Sequence, residues 1–268
     1  MATTTDLLTE IEGPVARITF NRPAQRNAAS TVMLERMLEF VTEVAALPSV
    51  RCVVLTGAGE HFMAGGDVQA FSETLKHSPE QRRAQFAARI KGTAPLFVAL
   101  AQLPQPLVAR VRGAVAGAAL GFVAGADFAI CGSSALFILA HVNIGASPDG
   151  SSSYHLPRAI GVRRAKELAI LGRKVDAQEA LALGLVNQLV PDAELDAAVA
   201  ALVQKIVAAP AESVRRAKLL MNQSLHNTLE RQLQLEAECF AACAATPDFV
   251  EGVGAFMAKR PAQFNRTP

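Results

Sequence analysis

At 268 residues, with 51% hydrophobic and 19% charged side chains, the chain has ample material for one large domain with an appendage. A net charge of +2 with both signs interspersed offers no basic stripe for nucleic acid, and no unbroken apolar stretch reaches the length of a membrane span. The N-terminus is polar and acidic without an apolar run, so no secretory signal is expected and the expected setting is cytoplasmic.

The first elements follow from pattern and punctuation. Leu7–Glu12 and Val15–Phe20, split by Gly13-Pro14, read as a hairpin. Asn21-Arg22-Pro23 is a turn. Ser30 or Thr31 can cap a helix running to about Ala46, with Met33, Leu34, Met37, Leu38, Val41 and Val44 on one face, and Pro48 ends it. A strand over Val50–Thr56 follows, and strand–helix–strand implies a parallel crossover. Residues 68–80 are polar and read as a mobile segment. Pro79–Leu103 reads as a helix interrupted near Pro95. The run Pro106–Val111 reads as a buried strand. Phe128–Cys131 and Ala135–Ile138 are short strands, and Ile144–Gly150 is a loop ahead of a helix. Helices are expected over 162–171 and 177–183, with a last strand at Gln188–Val190. From Asp192 the pattern is helical, with breaks at Pro210 and Pro247. This shift sets the expected boundary between residues 1–195 and 196–268.

Of the four cysteines, Cys52 and Cys131 sit in apolar strands and read as reduced core residues. Cys239 and Cys243 share a helix face without a histidine-rich partner segment, so core packing is expected there rather than a metal site.

The chemistry is expected at two turns. Arg112-Gly113-Ala114-Val115-Ala116-Gly117-Ala118-Ala119-Leu120-Gly121 follows a buried strand, and small residues there let backbone N–H groups approach a ligand. It lacks the Lys-Ser/Thr and the G-x-G-x-x-G spacing of phosphate loops. Tight strand-to-helix packing with no ligand is the alternative. A second turn, His61-Phe62-Met63-Ala64-Gly65-Gly66-Asp67, follows the Val50–Thr56 strand. Two free N–H donors aimed at one point make an oxyanion hole.

Together with Asn21-Arg22-Pro23, Asn27-Ala28, Leu156-Pro157-Arg158, Ala180–Asn187 and Ala255–Arg260, these turns resemble the enoyl-CoA hydratase/isomerase (crotonase) superfamily over nearly the whole chain. The resemblance implies an α/β fold: a β-β-α spiral core with a C-terminal helical oligomerisation region that builds trimers or dimers of trimers. It implies an acyl-CoA thioester as substrate, with coenzyme A part of that substrate and no further cofactor. Gly66 and Ala118 match the oxyanion donors. Arg26 and Ala28 match the nucleotide end of CoA, the Ala64 carbonyl its adenine contact, and Lys259 and Arg260 basic residues near its phosphates. Asp67 is expected to fix its own turn.

The acid–base positions depart from the family's hydratases. Their two carboxylates correspond to Gly121 and His141 here. Glycine transfers no proton, whereas histidine titrates near neutrality; a strand-end histidine without a catalytic role is the alternative for His141. Asp149 stands where isomerases of the superfamily place an aspartate base and 4-chlorobenzoyl-CoA dehalogenases a nucleophile. Capping the following helix is its structural alternative. The dehalogenases' tryptophan clamp is missing, since the chain has no Trp and His141 occupies that position, and their catalytic histidine has no counterpart between His77 and His141. The expected activity is therefore an acyl-CoA isomerase using Asp149. Two readings stay open: a hydratase or thioester hydrolase using His141 and Asp149, and a non-catalytic acyl-CoA-binding protein.

Overall fold

The computed structural model describes residues 5–265. The chain opens with an antiparallel hairpin, β1 (Leu7–Glu12) and β2 (Val15–Phe20), turned at Gly13 with φ 54°. Helix α1 (Thr31–Ala45) starts where the Ser30 side chain accepts the Met33 N–H at 3.1 Å, and it buries Met33, Met37, Val41 and Val44. After β3 (Cys52–Gly57) come α2 (Val68–Ser72), a 3-10 turn and α3 (Pro79–Gln102). The central part contains β4 (Leu107–Val111), β5 (Ala114–Ala116), α4 (Ala119–Ala124), β6 (Phe128–Gly132) and β7 (Leu136–Ile138). Then follow α5 (Ser152–Ile160), α6 (Val162–Leu171), β8 (Lys174–Asp176), α7 (Ala177–Leu183) and β9 (Gln188–Val190). Four helices close the chain: α8 (Leu195–Ala208), α9 (Ala211–Ser224), α10 (Leu229–Ala244) and α11 (Pro247–Met257).

The strands form a six-stranded sheet, β1-β2-β3-β4-β6-β9, and a three-stranded sheet, β5-β7-β8. All pairs in the larger sheet beyond the hairpin are parallel. The chain alternates between the sheets. β4 joins the large sheet, β5 the small one, and α4 follows; β6, β7 and α5 repeat the step. This is the β-β-α spiral.

The interior strands are continuously apolar because both faces of the sheet are covered. Val53 and Leu55 of β3 face the main core, whereas Cys52 and Val54 face a second cluster with Leu195, Val199, Val203 and Ile206 of α8. The helical region expected from residue 196 thus opens with a helix that lies on the sheet. No single helix among the described residues is long and apolar enough to cross a membrane.

Two expectations change. Helix α3 runs through Pro95 without interruption. Only one N–H is lost there, and Leu96 and Leu100 are buried immediately beyond it, so tertiary packing overrides the breaker. The segment read as mobile, residues 68–80, instead holds α2 and a 3-10 turn. Asp67 caps α2 by accepting the Ala70 N–H at 3.2 Å, and Ser78 forms a capping box with Gln81 at the head of α3.

Candidate active site

The two small-residue turns lie side by side. Met63 and Val115 form a parallel bridge: Met63 N–H donates to the Ala114 carbonyl at 3.1 Å, and Ala116 N–H donates back to Met63 at 2.9 Å. Gly65 has φ 85°, and a Cβ there would stand 2.7 Å from the Ala116 carbonyl oxygen, so only glycine permits this approach. Among the described residues neither the Gly66 nor the Ala118 N–H donates to a backbone carbonyl. Ala118 heads α4, where helix N–H groups are unpaired by construction.

Asp149 and His141 are joined: His141 Nε2 lies 2.8 Å from Asp149 Oδ1. The His141 ring is buried beside the Gly117 turn; a Cβ on Gly117 would touch its Cε1 and Nε2 at 3.7 Å. Among the described residues His141 Nδ1 is buried without a partner. The Asp149 carboxylate does not cap the helix. Ser151, with φ 59°, holds the cap position of α5, and only the Asp149 backbone carbonyl accepts from Ser152, at 3.1 Å from N and 2.6 Å from Oγ. The capping alternative is thereby removed, and the carboxylate stays available.

Gly121 is closed off. A Cβ there would overlap the Gly150 carbonyl oxygen and lie 2.8 Å from its carbon and 3.0 Å from Ser152 N. Gly150, with φ 60°, packs as tightly on Ala118, where its own Cβ would come 2.6 Å from the alanine methyl. The loop carrying Asp149 therefore rests directly on the first turn of α4, and backbone fills the place of a side chain at 121.

Beside these groups is a cavity of about 980 Å³ between α2, α3 and residues 141–153. Phe71, Phe86, Ile90 and Phe97 give it an apolar wall, with Phe71 and Phe86 edge to face at 5.1 Å. Asp149 is the one carboxylate lining it among the described residues. The volume suits a sizeable ligand.

The positions matched to CoA divide into two groups. Ala64 N–H donates to the Arg26 carbonyl at 2.9 Å, and Ala29 N–H to Gly65 at 2.7 Å, so 26–29 and 64–66 form one edge. Arg22 clamps that edge, donating to the Ala28 carbonyl at 2.7 Å and to Asp67 Oδ2 at 3.1 Å. Partial burial pushes the Asp67 carboxyl up, but the Ala70 N–H and the Arg22 guanidinium together hold it below the usual carboxylate range. Lys259, by contrast, is exposed after α11 and does not line the cavity, and Arg260 is engaged by Glu251 at 2.7 and 2.8 Å. Burial pushes the Cys52 thiol up to about 12 and that of Cys131 to about 11, as inert core thiols require. No group of three or more potential ligands for a metal occurs among the described residues.

Sequence reasoning missed the bond between His141 and Asp149, which spans a 3-10 turn and a loop without periodicity. It also missed the packing of Gly150, although Pro148-Asp149-Gly150 is a turn signature.

Residues 10–267 match the family model described as enoyl-CoA hydratase/isomerase. The chain is 33% identical to the 1,2-epoxyphenylacetyl-CoA isomerase of Escherichia coli (strain K12), over 96% of this chain and 97% of that one. It is 31% identical to 4-chlorobenzoyl coenzyme A dehalogenase-2 of an Arthrobacter species, over 91% and 88%. The crystal structure of an enoyl-CoA hydratase from Polaromonas sp. JS666 superposes with a TM-score of 0.88 at 29% identity, covering 97% of this chain and 99% of that one. These relatives are named for three different activities, and the chain belongs to the enoyl-CoA hydratase/isomerase family.

Proposed function

We propose that the protein is an acyl-CoA isomerase that moves a double bond, or rearranges a ring epoxide, through an enolate. The Gly66 and Ala118 N–H groups polarise the thioester carbonyl, and Asp149 takes the proton that carbonyl activates. The negative charge passes to the thioester oxygen between the two donors, where preorganised N–H groups are worth several kcal/mol. The proton then returns from Asp149 to a different carbon. CoA is part of the substrate, held at its nucleotide end along Arg26, Ala28 and Ala64, and the reaction calls on no other cofactor.

The observation that carries this reading is that Asp149 is the one carboxylate lining the cavity among the described residues, with Gly121 closed by backbone. One base can take a proton and give it back. Addition of water across a double bond needs a second group to deliver a proton while the first activates the water. The hydratase or hydrolase alternative would use His141, but its Nε2 is engaged by Asp149 and its Nδ1 is buried. Exposed Leu229, Leu233, Phe240, Phe256 and Met257 support assembly as a trimer or a dimer of trimers through the C-terminal helices. Four unpaired cysteines suit a reducing, cytoplasmic setting.

The test is NMR-monitored exchange in deuterated water with 3-enoyl-CoA and phenylacetyl-type thioesters. Wild type exchanges protons or shifts the double bond, and Asp149→Asn loses about 10²–10⁴-fold of that rate. Equal rates in both would remove Asp149 from the chemistry. CoA binding without exchange on any thioester would favour the binding-protein alternative.

A further inference from the structure

We propose that His141 is a positioning residue whose Nε2–H holds Asp149 Oδ1, so that the other carboxylate oxygen, Oδ2, is the atom that exchanges protons with the acyl group. This rests on the reading of Asp149 as the base.

The hydrogen-bond inventory assigns the tautomer. A protonated Nδ1 would leave an N–H donor buried with no acceptor, and it would turn an Nε2 lone pair against the carboxylate. With the hydrogen on Nε2, the ring donates to Asp149 at 2.8 Å and leaves only a lone pair unpaired, the smaller loss. The ring lies beside the Gly117 turn, and the backbone carbonyl of His141 accepts the Ala146 N–H at 2.9 Å, closing the turn that leads to Asp149. One side chain thus ties the proposed base to the proposed oxyanion turn.

Oδ1 is thereby committed. Asp149 makes no other ion pair among the described residues, and its side chain keeps 29% of its surface exposed. The other charged groups on the cavity wall are Arg82 and Arg83 of α3, and Arg82 is engaged by the His77 carbonyl. His155 of α5 stands behind Ser151, lining a separate small cavity against Gly121 and Gly125. His141 is therefore the side chain that holds the Asp149 carboxylate among the described residues.

The experiment compares His141→Phe, His141→Gln and Asp149→Asn by the kcat and KM of proton exchange. Phe removes the donor, whereas the Gln side-chain N–H can replace Nε2–H. The expected kcat loss in His141→Phe is about 10–100-fold with KM nearly unchanged, and His141→Gln restores most of that rate. Inactive Asp149→Asn with full kcat in His141→Phe would overturn the positioning role and leave the base standing. Active Asp149→Asn would overturn the base itself. The imidazole 15N shifts of the wild type read the tautomer without activity: hydrogen on Nε2 is expected, and hydrogen on Nδ1 refutes the proposal.

Discussion

Replacing Gly121 by Ala sets two effects of opposite sign against each other. Residue 121 lies inside α4, where Ala is favoured over Gly by about 1 kcal/mol on propensity alone. The added methyl, however, would overlap the Gly150 carbonyl and crowd Ser152 N, and these are backbone atoms that no rotamer can move. Overpacking a closed site costs about 1–3 kcal/mol, and backbone contacts place this one at the upper end. Packing wins, and the net loss corresponds to a Tm lower by about 3–8 °C. Relief requires the 149–152 loop to lift from α4, which displaces Asp149 from His141. A misplacement on the order of 1 Å at a reacting group costs about 10²-fold in rate. The assay pairs thermal unfolding with deuterium exchange on the thioesters. Gly92→Ala in α3 is the control, since no atom lies within 4 Å of its Cβ position and the same change should stabilise there. Wild-type Tm and wild-type exchange in Gly121→Ala would refute the close approach of the loop.

Two other sites give stability predictions. Burial first, then the neighbouring Arg158, holds the His155 imidazole below its usual range, so protonation favours the unfolded chain; stability is intact above about pH 6.5 and falls as pH drops below it. The fall in Tm between pH 7.5 and 5 should be shallower in His155→Gln, and equal slopes would remove His155 from the effect. Lys218 of α9 reaches Asp127 Oδ2 at 2.6 Å and the Gln105 carbonyl at 2.9 Å, with its side chain 10% exposed. Among the described residues Lys218→Met leaves Asp127 with the Leu107 N–H at 2.7 Å alone, and the expected loss is about 2–3 kcal/mol by urea titration. A change under about 0.5 kcal/mol would show that α9 docks without that pair.

The sequence is legible where burial imposes a period. The α1 face of Met33, Met37, Val41 and Val44 is plain because one stripe meets the core, and β3, β4 and β6 read as apolar runs because α8 covers their second face. Helix α3 is harder, since its apolar residues are shared between the core and the cavity: Leu96 and Leu100 face inward, while Phe86 and Ile90 line the ligand space. No single stripe survives that division, and Pro95 then reads as a break. Strand β8 (Lys174–Asp176) buries only Val175, which is too little for a pattern to show. In the site, the backbone turns are visible because the chain needs glycine at 65 and 117. The bond from His141 to Asp149 is invisible, because only the folded loop decides that these two side chains meet.

The chemistry open to this spiral depends on loops more than on its frame. Backbone N–H donors place few demands on side chains, so Ala at 118 offers the same N–H as Gly would, and two such turns can persist while the reaction changes. Acid–base chemistry places strict demands, because a proton must find a titratable atom within reach of both its old and new carbon. Here Gly150 sits on Gly121, which brings Asp149 close to the turns and in the same stroke fills the space a carboxylate at 121 would need. A second carboxylate and the present seat of Asp149 are therefore mutually exclusive in this backbone. Seating a glutamate at 121 would take more than one substitution: the 149–152 loop would have to move, and with it the bond to His141 and the proposed base.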